Sequence, residues 1–234
     1  MTNNPFRFVR EGFAMQWKGY GMIVGERITD YINSMNKEDV DWLFAIENKA
    51  REELVPIIRK ETKELLKTLI RMKKPKKVLE VGTAVGYSAL YMKQYIPEDG
   101  TITTIENYPP RIEEASINFK TWDKENQINL IPGDAAVVLK ELTGPYDFIF
   151  MDAAKGQYIH FLPDIIRLLE KGGVLLSDNV LQDGDIIESR YAIKRRNHTI
   201  HSRMREYLYT LKNCEEFTTS IIPIGDGVAL SVKE

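Results

Sequence analysis

Six polar residues in the C-terminal two-thirds of the chain have the types and spacing to do chemistry together: Glu80, Glu106, Asp134, Asp152, Asp178 and Asn179. Each closes or follows a short apolar or β-branched run, as in KVLEV, TITTIE and YDFIFMD. A single acid at such a place is an ordinary helix cap or turn, whereas five successive runs ending this way exceed what capping requires. Asp152, Asp178 and Asn179 offer hard oxygen donors, the set that suits Mg²⁺, which keeps its remaining octahedral positions for water and substrate. Lys155 follows Asp152 by three positions. A metal there would lower its pKa and make it a candidate general base. Zinc is disfavoured, because His160, His198 and His201 do not join a thiolate cluster.

The second constellation surrounds two glycines. In the stretch Lys77–Met92 a buried strand ends in Glu80, a loop holds Gly82 and Gly86, and a helix starts near Tyr87 and Ser88. Glycine lets the backbone turn sharply and approach a ligand, and a helix N-terminus offers unpaired N–H groups. The spacing is G-x-x-x-G behind an acid, not the dinucleotide G-x-G-x-x-G. Glu106, 24 positions after Gly82, is placed to accept hydrogen bonds from a ribose diol. Asp134, between Gly133 and Ala135, is a candidate for the adenine side, and Asp152 borders both constellations. No Walker lysine motif is present. An adenosine ligand without a diphosphate fits this loop, which favours S-adenosylmethionine over NAD.

The elements that must position these residues alternate. Strands are expected at Lys77–Val81, Thr101–Glu106, Ile128–Ile131, Tyr146–Met151 and Val174–Ser177, with helices at Pro109–Lys124, Val137–Leu142, Phe161–Leu169 and Ile187–Leu211 between or after them. Phe217–Pro223 and Val228–Val232 read as a hairpin around Gly225-Asp226-Gly227. Such β-α alternation predicts an α/β fold with a mostly parallel, seven-stranded sheet, helices on both faces and an antiparallel pair at or near one edge. Ahead of it, helical patterns cover Glu26–Met35 and Glu38–Val55, and Pro56 suits the first turn of a further helix carrying Ile57, Ile58, Leu66 and Ile70. Residues 1–25 read as an N-terminal extension, residues 26–234 as one domain with a helical part over 26–74 and the ligand-binding core over 75–234.

Composition narrows the setting. The chain has 234 residues, 43% hydrophobic and 28% charged, with a net charge of −2, so no global field draws it to nucleic acid or anionic lipid. The single cysteine, Cys214, excludes an internal disulfide and suits a reducing compartment. No apolar run approaches the roughly 20 residues of a membrane span. A cytoplasmic protein without a membrane partner is expected.

Four motifs, VLEVGTAVGYS, FMDAAK, DNVL and PIGDG, together resemble the metal-dependent O-methyltransferases of the catechol and caffeoyl-CoA type, from about Ile28 to the C-terminus. The resemblance implies a Rossmann-like class I methyltransferase. Glu106 would then hold the cofactor ribose, Asp134 its adenine side, and Gly82 and Ser88 its amino-acid end, while Asp152, Asp178 and Asn179 hold Mg²⁺ and Lys155 takes a proton. Within the family, DAAKGQY (Asp152–Tyr158) and IIPIGDG (Ile221–Gly227) look most like the bacterial branch that converts 5-hydroxyuridine to 5-methoxyuridine at the tRNA wobble position. The partner implied is a tRNA anticodon stem-loop, and the family's habit implies a homodimer. The alternative is a small catechol-like or phenolic substrate.

One further signal bears on that choice. Lys194, Arg195 and Arg196, with His198, His201, Arg203 and Arg205, are expected along the middle turns of the long helix. They are either a solvated face or a phosphate-binding patch. Tyr158, Phe161 and Tyr191 are aromatics that could stack on a base or belong to the core.

Overall fold

The computed structural model describes residues 24–189 and 191–234, so the expected extension lies outside the described residues up to position 23. Strand β1 (Lys77–Val81) is buried from Val78 onward. Its alternate side chains enter two different cores, Leu79 and Val81 one, Val78 the other. Strand β4 (Tyr146–Met151) repeats this, with Ile149 and Met151 on one side and Phe148 and Phe150 on the other. A strand covered on both faces has no solvent side for polar residues, so its sequence is a near-continuous apolar run.

These two strands are the middle of a seven-stranded sheet. Its order is β3-β2-β1-β4-β5-β7-β6, with β2 (Thr101–Glu106), β3 (Ile128–Pro132) and β5 (Leu169–Ser177) parallel to them. The hairpin strands β6 (Phe217–Ile222) and β7 (Val228–Lys233) are antiparallel, and β7 lies against β5, leaving β6 at the edge. Chain order reverses between β1 and β4, the point where an open α/β sheet leaves a crevice beyond its strand ends.

On one face, α2 (Asp41–Glu52), α3 (Lys60–Lys73), α4 (Tyr87–Lys93) and α5 (Pro109–Trp122) bury Leu43, Leu66, Leu90 and Phe119. The other face is covered by α6 (Ala135–Glu141), α7 (Tyr158–Leu168) and α8 (His198–Asn213) through Leu139, Ile165 and Met204. Helix α1 (Glu26–Ser34) joins α3 through Asn33 Nδ2, which donates to Glu61 Oε1 at 2.7 Å.

Three expectations are corrected. The helix expected from Pro56 begins only at Lys60. Residues 56–59 form no helical turn; Ile58 among them and Val55 before them are buried, and Arg59, itself extended, reaches across to Asp183 and Asp226. The helix expected over Ile187–Leu211 is an α-helix only from His198. Before it come 3₁₀ turns at Gln182–Ile187 and Arg195–Asn197. Ile187 and Tyr191 are exposed and, among the described residues from Ile187 to Asn197, only Ile193 is buried, so that stretch offers little of the apolar face that tertiary packing needs to sustain a helix. Lys194, Arg195 and Arg196 therefore precede α8 rather than lie along it. Finally, the strand expected at Val174–Ser177 begins already at Leu169 and runs through Gly172-Gly173 with a register shift against β4.

A buried polar cluster ties the α2–α4 layer to the glycine loop. Lys63 Nζ donates to Asp39 Oδ2 and, at 3.1 Å, to the Tyr87 hydroxyl, which donates to Glu47 Oε2 at 2.9 Å. Burial works against the Glu47 charge, but hydrogen bonds from Tyr87 and Arg51 outweigh it and hold the carboxyl below its ordinary range. Removing the cation leaves the Asp39 carboxylate without its ion pair and takes one of two neighbouring cations from Glu47, a loss of about 3–5 kcal/mol. Lys63→Met is expected to lower the unfolding free energy by that amount in urea titrations; an unchanged midpoint would remove the cluster from the forces holding this layer.

Candidate active site

The acids converge because the sheet ladder continues one residue past each strand. Gly82 N donates to Ile105 O (3.1 Å), Asp152 N to Val81 O (3.0 Å), Asp178 N to Met151 O (3.0 Å) and Gly133 N to Glu106 O (2.8 Å). Each bond places a loop residue beside its neighbour's end. Above them opens a cleft of about 950 Å³, whose lining includes Gly82, Tyr87, Ser88, Glu106, Gly133, Asp134, Ala135, Asp152, Lys155 and Asn179. Most of the expected cofactor residues thus face one cavity.

Glu80, Gly86 and Asp178 do not line it. Glu80 is fully buried behind the loop, where Ser88 Oγ donates to its Oε1 at 2.5 Å and Thr104 Oγ1 to its Oε2. Burial pushes its carboxyl up to about 8, against the two hydroxyl donors. It braces the start of α4 instead of offering a surface to a ligand. Gly86, at φ +81°, packs on Phe119, whose ring a Cβ would meet at 2.5 Å.

The loop is closed by Glu106. Its Oε2 accepts from Ala84 N (2.8 Å), and its Oε1 from Asn107 N and Tyr108 N (2.9 Å each). Three of roughly four acceptor sites are used, leaving one toward the cleft. Asp134 is also a helix cap: its Oδ1 accepts from Ala136 N at 2.9 Å, at the start of α6.

The second constellation is compact. Lys155 Nζ donates to Asp152 Oδ1 (2.7 Å) and to Asn179 Oδ1 (2.5 Å). Asn179 holds a left-handed φ of +57°, a conformation asparagine tolerates better than most residues. Asp178 is 1% exposed; burial and the like charge of Asp152 push its carboxyl up to about 7, against the pull of Lys155. Burial alone would depress Lys155, but Tyr158, Asp152 and Asp178 raise it above the ordinary lysine range. The protein groups therefore hold Lys155 as an ammonium, opposite to the lowering that a neighbouring dication would impose.

Among the described residues no three His, Cys, Asp or Glu side chains cluster as a metal site. The donors are two carboxylates and one carboxamide. That hard set fits Mg²⁺ and not zinc, and two of its oxygens already share one cation, the Lys155 ammonium.

The remaining expectations divide. Phe161 lines the cleft, Tyr158 is wholly buried beneath it with its hydroxyl 3.0 Å from Met151 O, and Tyr191 is exposed. Lys194, Arg195 and Arg196 are exposed, outside the cleft and in no ion pair among the described residues. Arg203 Nη1 donates to Gly156 O at 3.1 Å, so it braces the turn that carries Lys155. His201 is buried and belongs to no surface patch.

Among the lining residues that were not expected there are two charged ones on other elements, Arg59 and Asp226. Asp226 sits in the β6–β7 turn, and β7 runs antiparallel beside β5. Its strand therefore begins where β5 ends, next to Asp178 and Asn179. Only strand order reveals this; the Gly-Asp-Gly spelling reads as a turn.

The O-methyltransferase family profile matches residues 40–234. A catechol O-methyltransferase of Niastella koreensis is 30% identical over 169 residues, covering 70% of this chain and 76% of that protein. A Staphylococcus aureus crystal structure of caffeoyl-CoA O-methyltransferase type superposes with a TM-score of 0.79 at 32% identity, covering 89% of this chain and 98% of that one. The SAH-bound methyltransferase of Podospora anserina shares the fold, with a TM-score of 0.80 at 24% identity over 89% and 94% of the two chains. The chain belongs to the O-methyltransferase family.

Gly82 gives the sharpest local test. At φ +105° a Cβ would stand 2.1 Å from Asp152 O, a backbone atom that cannot swing aside. Gly82→Ala is expected to weaken S-adenosylhomocysteine binding at least tenfold by calorimetry; unchanged affinity would show that the loop does not set the cleft's shape.

Proposed function

We propose that this chain is an S-adenosylmethionine- and Mg²⁺-dependent O-methyltransferase acting on a hydroxyl with a second oxygen beside it, and that its substrate is 5-hydroxyuridine in a tRNA anticodon stem-loop. Family membership supports the reaction, and the cleft's residues supply its parts. The Gly82–Ser88 loop, Glu106 and Asp134 hold the methyl donor on one side. Asp152, Asp178 and Asn179 would hold the metal, whose chemistry when bound is to favour the ionised form of a chelated hydroxyl. Lys155, an ammonium while Asp152 and Asp178 face it, would give up one proton to solvent when a bound cation offsets those acids, and its free amine would then take the hydroxyl proton. The oxygen–methyl bond then forms as the sulfonium–methyl bond breaks. Holding both reactants on adjacent strand ends supplies near-attack geometry.

The observation carrying the RNA reading is the exposed Lys194–Arg196 run, unpaired among the described residues. It leads directly into α8, whose Arg203 is bonded to the Lys155 turn. Cations so placed can meet phosphates while a base enters the cleft. The relatives named as catechol and caffeoyl-CoA O-methyltransferases favour a second reading, a small phenolic substrate. Exposed Ile28 and Tyr31 on α1, Met35 just after it and Phe44 on α2 support a homodimer interface in the helical N-terminal part.

Labelled methyl transfer to a 5-hydroxyuridine stem-loop and to a catechol, run in parallel, separates the two substrates. The stem-loop is expected to be methylated. The triple variant Lys194→Ala, Arg195→Ala, Arg196→Ala is expected to reduce the salt slope of RNA binding by roughly 2–3 units, from about 0.7–0.9 per lost phosphate contact. Catechol methylation with an inert stem-loop would favour the phenolic substrate. Asp152→Ala is expected to abolish both activities, and near wild-type turnover of that variant in chelator would overturn the metal's role.

A further inference from the structure

The residue beside Asn179 poses a question that the reaction scheme leaves unanswered. A carboxamide presents an acceptor on one side and a donor on the other, and a turn about its last bond exchanges them. Only the oxygen can serve a cation. In this structure Asn179 Oδ1 faces Lys155 Nζ at 2.5 Å, and its Nδ2 donates to Asp226 Oδ2 at 2.9 Å. A carboxylate is an acceptor with no donor of its own. The amide beside Asp226 is therefore favoured in one orientation, with nitrogen toward Asp226 and oxygen toward Lys155, the ammonium it shares with Asp152.

Asp226 is itself held from both sides. Arg59, from the extended segment before α3, pairs with Asp226 Oδ1 and, at 2.8 Å, with Asp183 Oδ1. The backbone around it is pinned as well: Leu181 N donates to Asp226 O and Val180 N to Gly227 O, both at 2.9 Å. Gly227, at φ +81°, admits the Leu181 side chain where a Cβ would stand 2.3 Å away. The hairpin turn is thus locked against the segment that carries Asn179.

We propose that Asp226 is a positioning residue that sets the Asn179 carboxamide with its oxygen toward the divalent cation. This rests on the metal reading above. Partners that orient a ligand typically contribute 10–100-fold to metal affinity.

The test is Mn²⁺ binding to the full-length protein, read from the free-ion signal in electron paramagnetic resonance, with Asp152→Ala as the variant that removes a ligand. Asp226→Ala is expected to bind Mn²⁺ 10–100-fold more weakly than wild type. Asp226→Leu, which also lacks an acceptor but keeps the volume, serves the same purpose if the alanine variant does not fold. Asp226→Asn can still offer an oxygen to Asn179 Nδ2 and is expected to stay within about threefold of wild type. Both Asp226→Ala and Asp226→Asn lose the charge that pairs with Arg59. Equal weakening in the two would therefore assign the effect to that ion pair and overturn the proposal, as would wild-type affinity in Asp226→Ala. Absence of saturable Mn²⁺ binding in wild type overturns the metal reading and this inference with it; binding in wild type with no loss in Asp226→Ala overturns this inference alone.

Discussion

The site depends on a run of backbone hydrogen bonds that no side chain makes. Gly82 N to Ile105 O, Asp152 N to Val81 O, Asp178 N to Met151 O and Gly133 N to Glu106 O extend the parallel ladder just beyond its strands. Parallel register places the carboxyl ends of β1 to β5 on the same edge of the sheet, so whatever residue follows each of them is brought to that edge. The buried Val, Ile and Phe runs of β1 and β4 hold the register, since a one-residue slip would turn each core side chain toward the wrong layer. Packing energy spent in the two cores is therefore what fixes the separation of groups in the cleft.

Bringing acids together costs electrostatic energy, and the fold answers it in two ways. Some of the carboxylates are consumed by the protein itself. Glu106 binds three backbone N–H groups, Asp134 caps α6, and Glu80 is buried on two hydroxyls. The remainder, Asp152 and Asp178, face one ammonium, Lys155. That pairing raises Lys155 while Asp178 is raised by Asp152, so each group's protonation is set by the others. Under the proposed metal reading, a dication held by these acids would offset their charge and so weaken their hold on the Lys155 proton.

Much of this was legible before any coordinate, for a physical reason. Strand β2 (Thr101–Glu106) and strand β4 (Tyr146–Met151) match their expected bounds, because a β-branched run and an apolar run buried on both faces each admit few other readings. The helix expected over Ile187–Leu211 was misplaced, because charged residues tolerate a helix without creating one, and only the apolar face from His201 onward packs. Glu80 carried the spelling of a ligand residue but supports the loop from behind. The direction of the shift at Lys155 depends on distances that spacing alone does not carry. Asp226 was invisible as a site residue because its position comes from β7 lying beside β5, a fact of strand order rather than of local pattern.

The N-terminal helical layer is more than a cover for the sheet. Through Lys63 and Glu47 it reaches Tyr87, the first residue of α4 after the glycine loop. Through Arg59 it reaches Asp226, and so Asn179. One polar connection thus ends at the loop assigned to the methyl donor and the other at the cation side of the cleft. Both originate within five residues of one another, around the start of α3. A shift of α3 would therefore act on the glycine loop and on the Asn179 side of the cleft together, while the strand ends determine which residues each side contains.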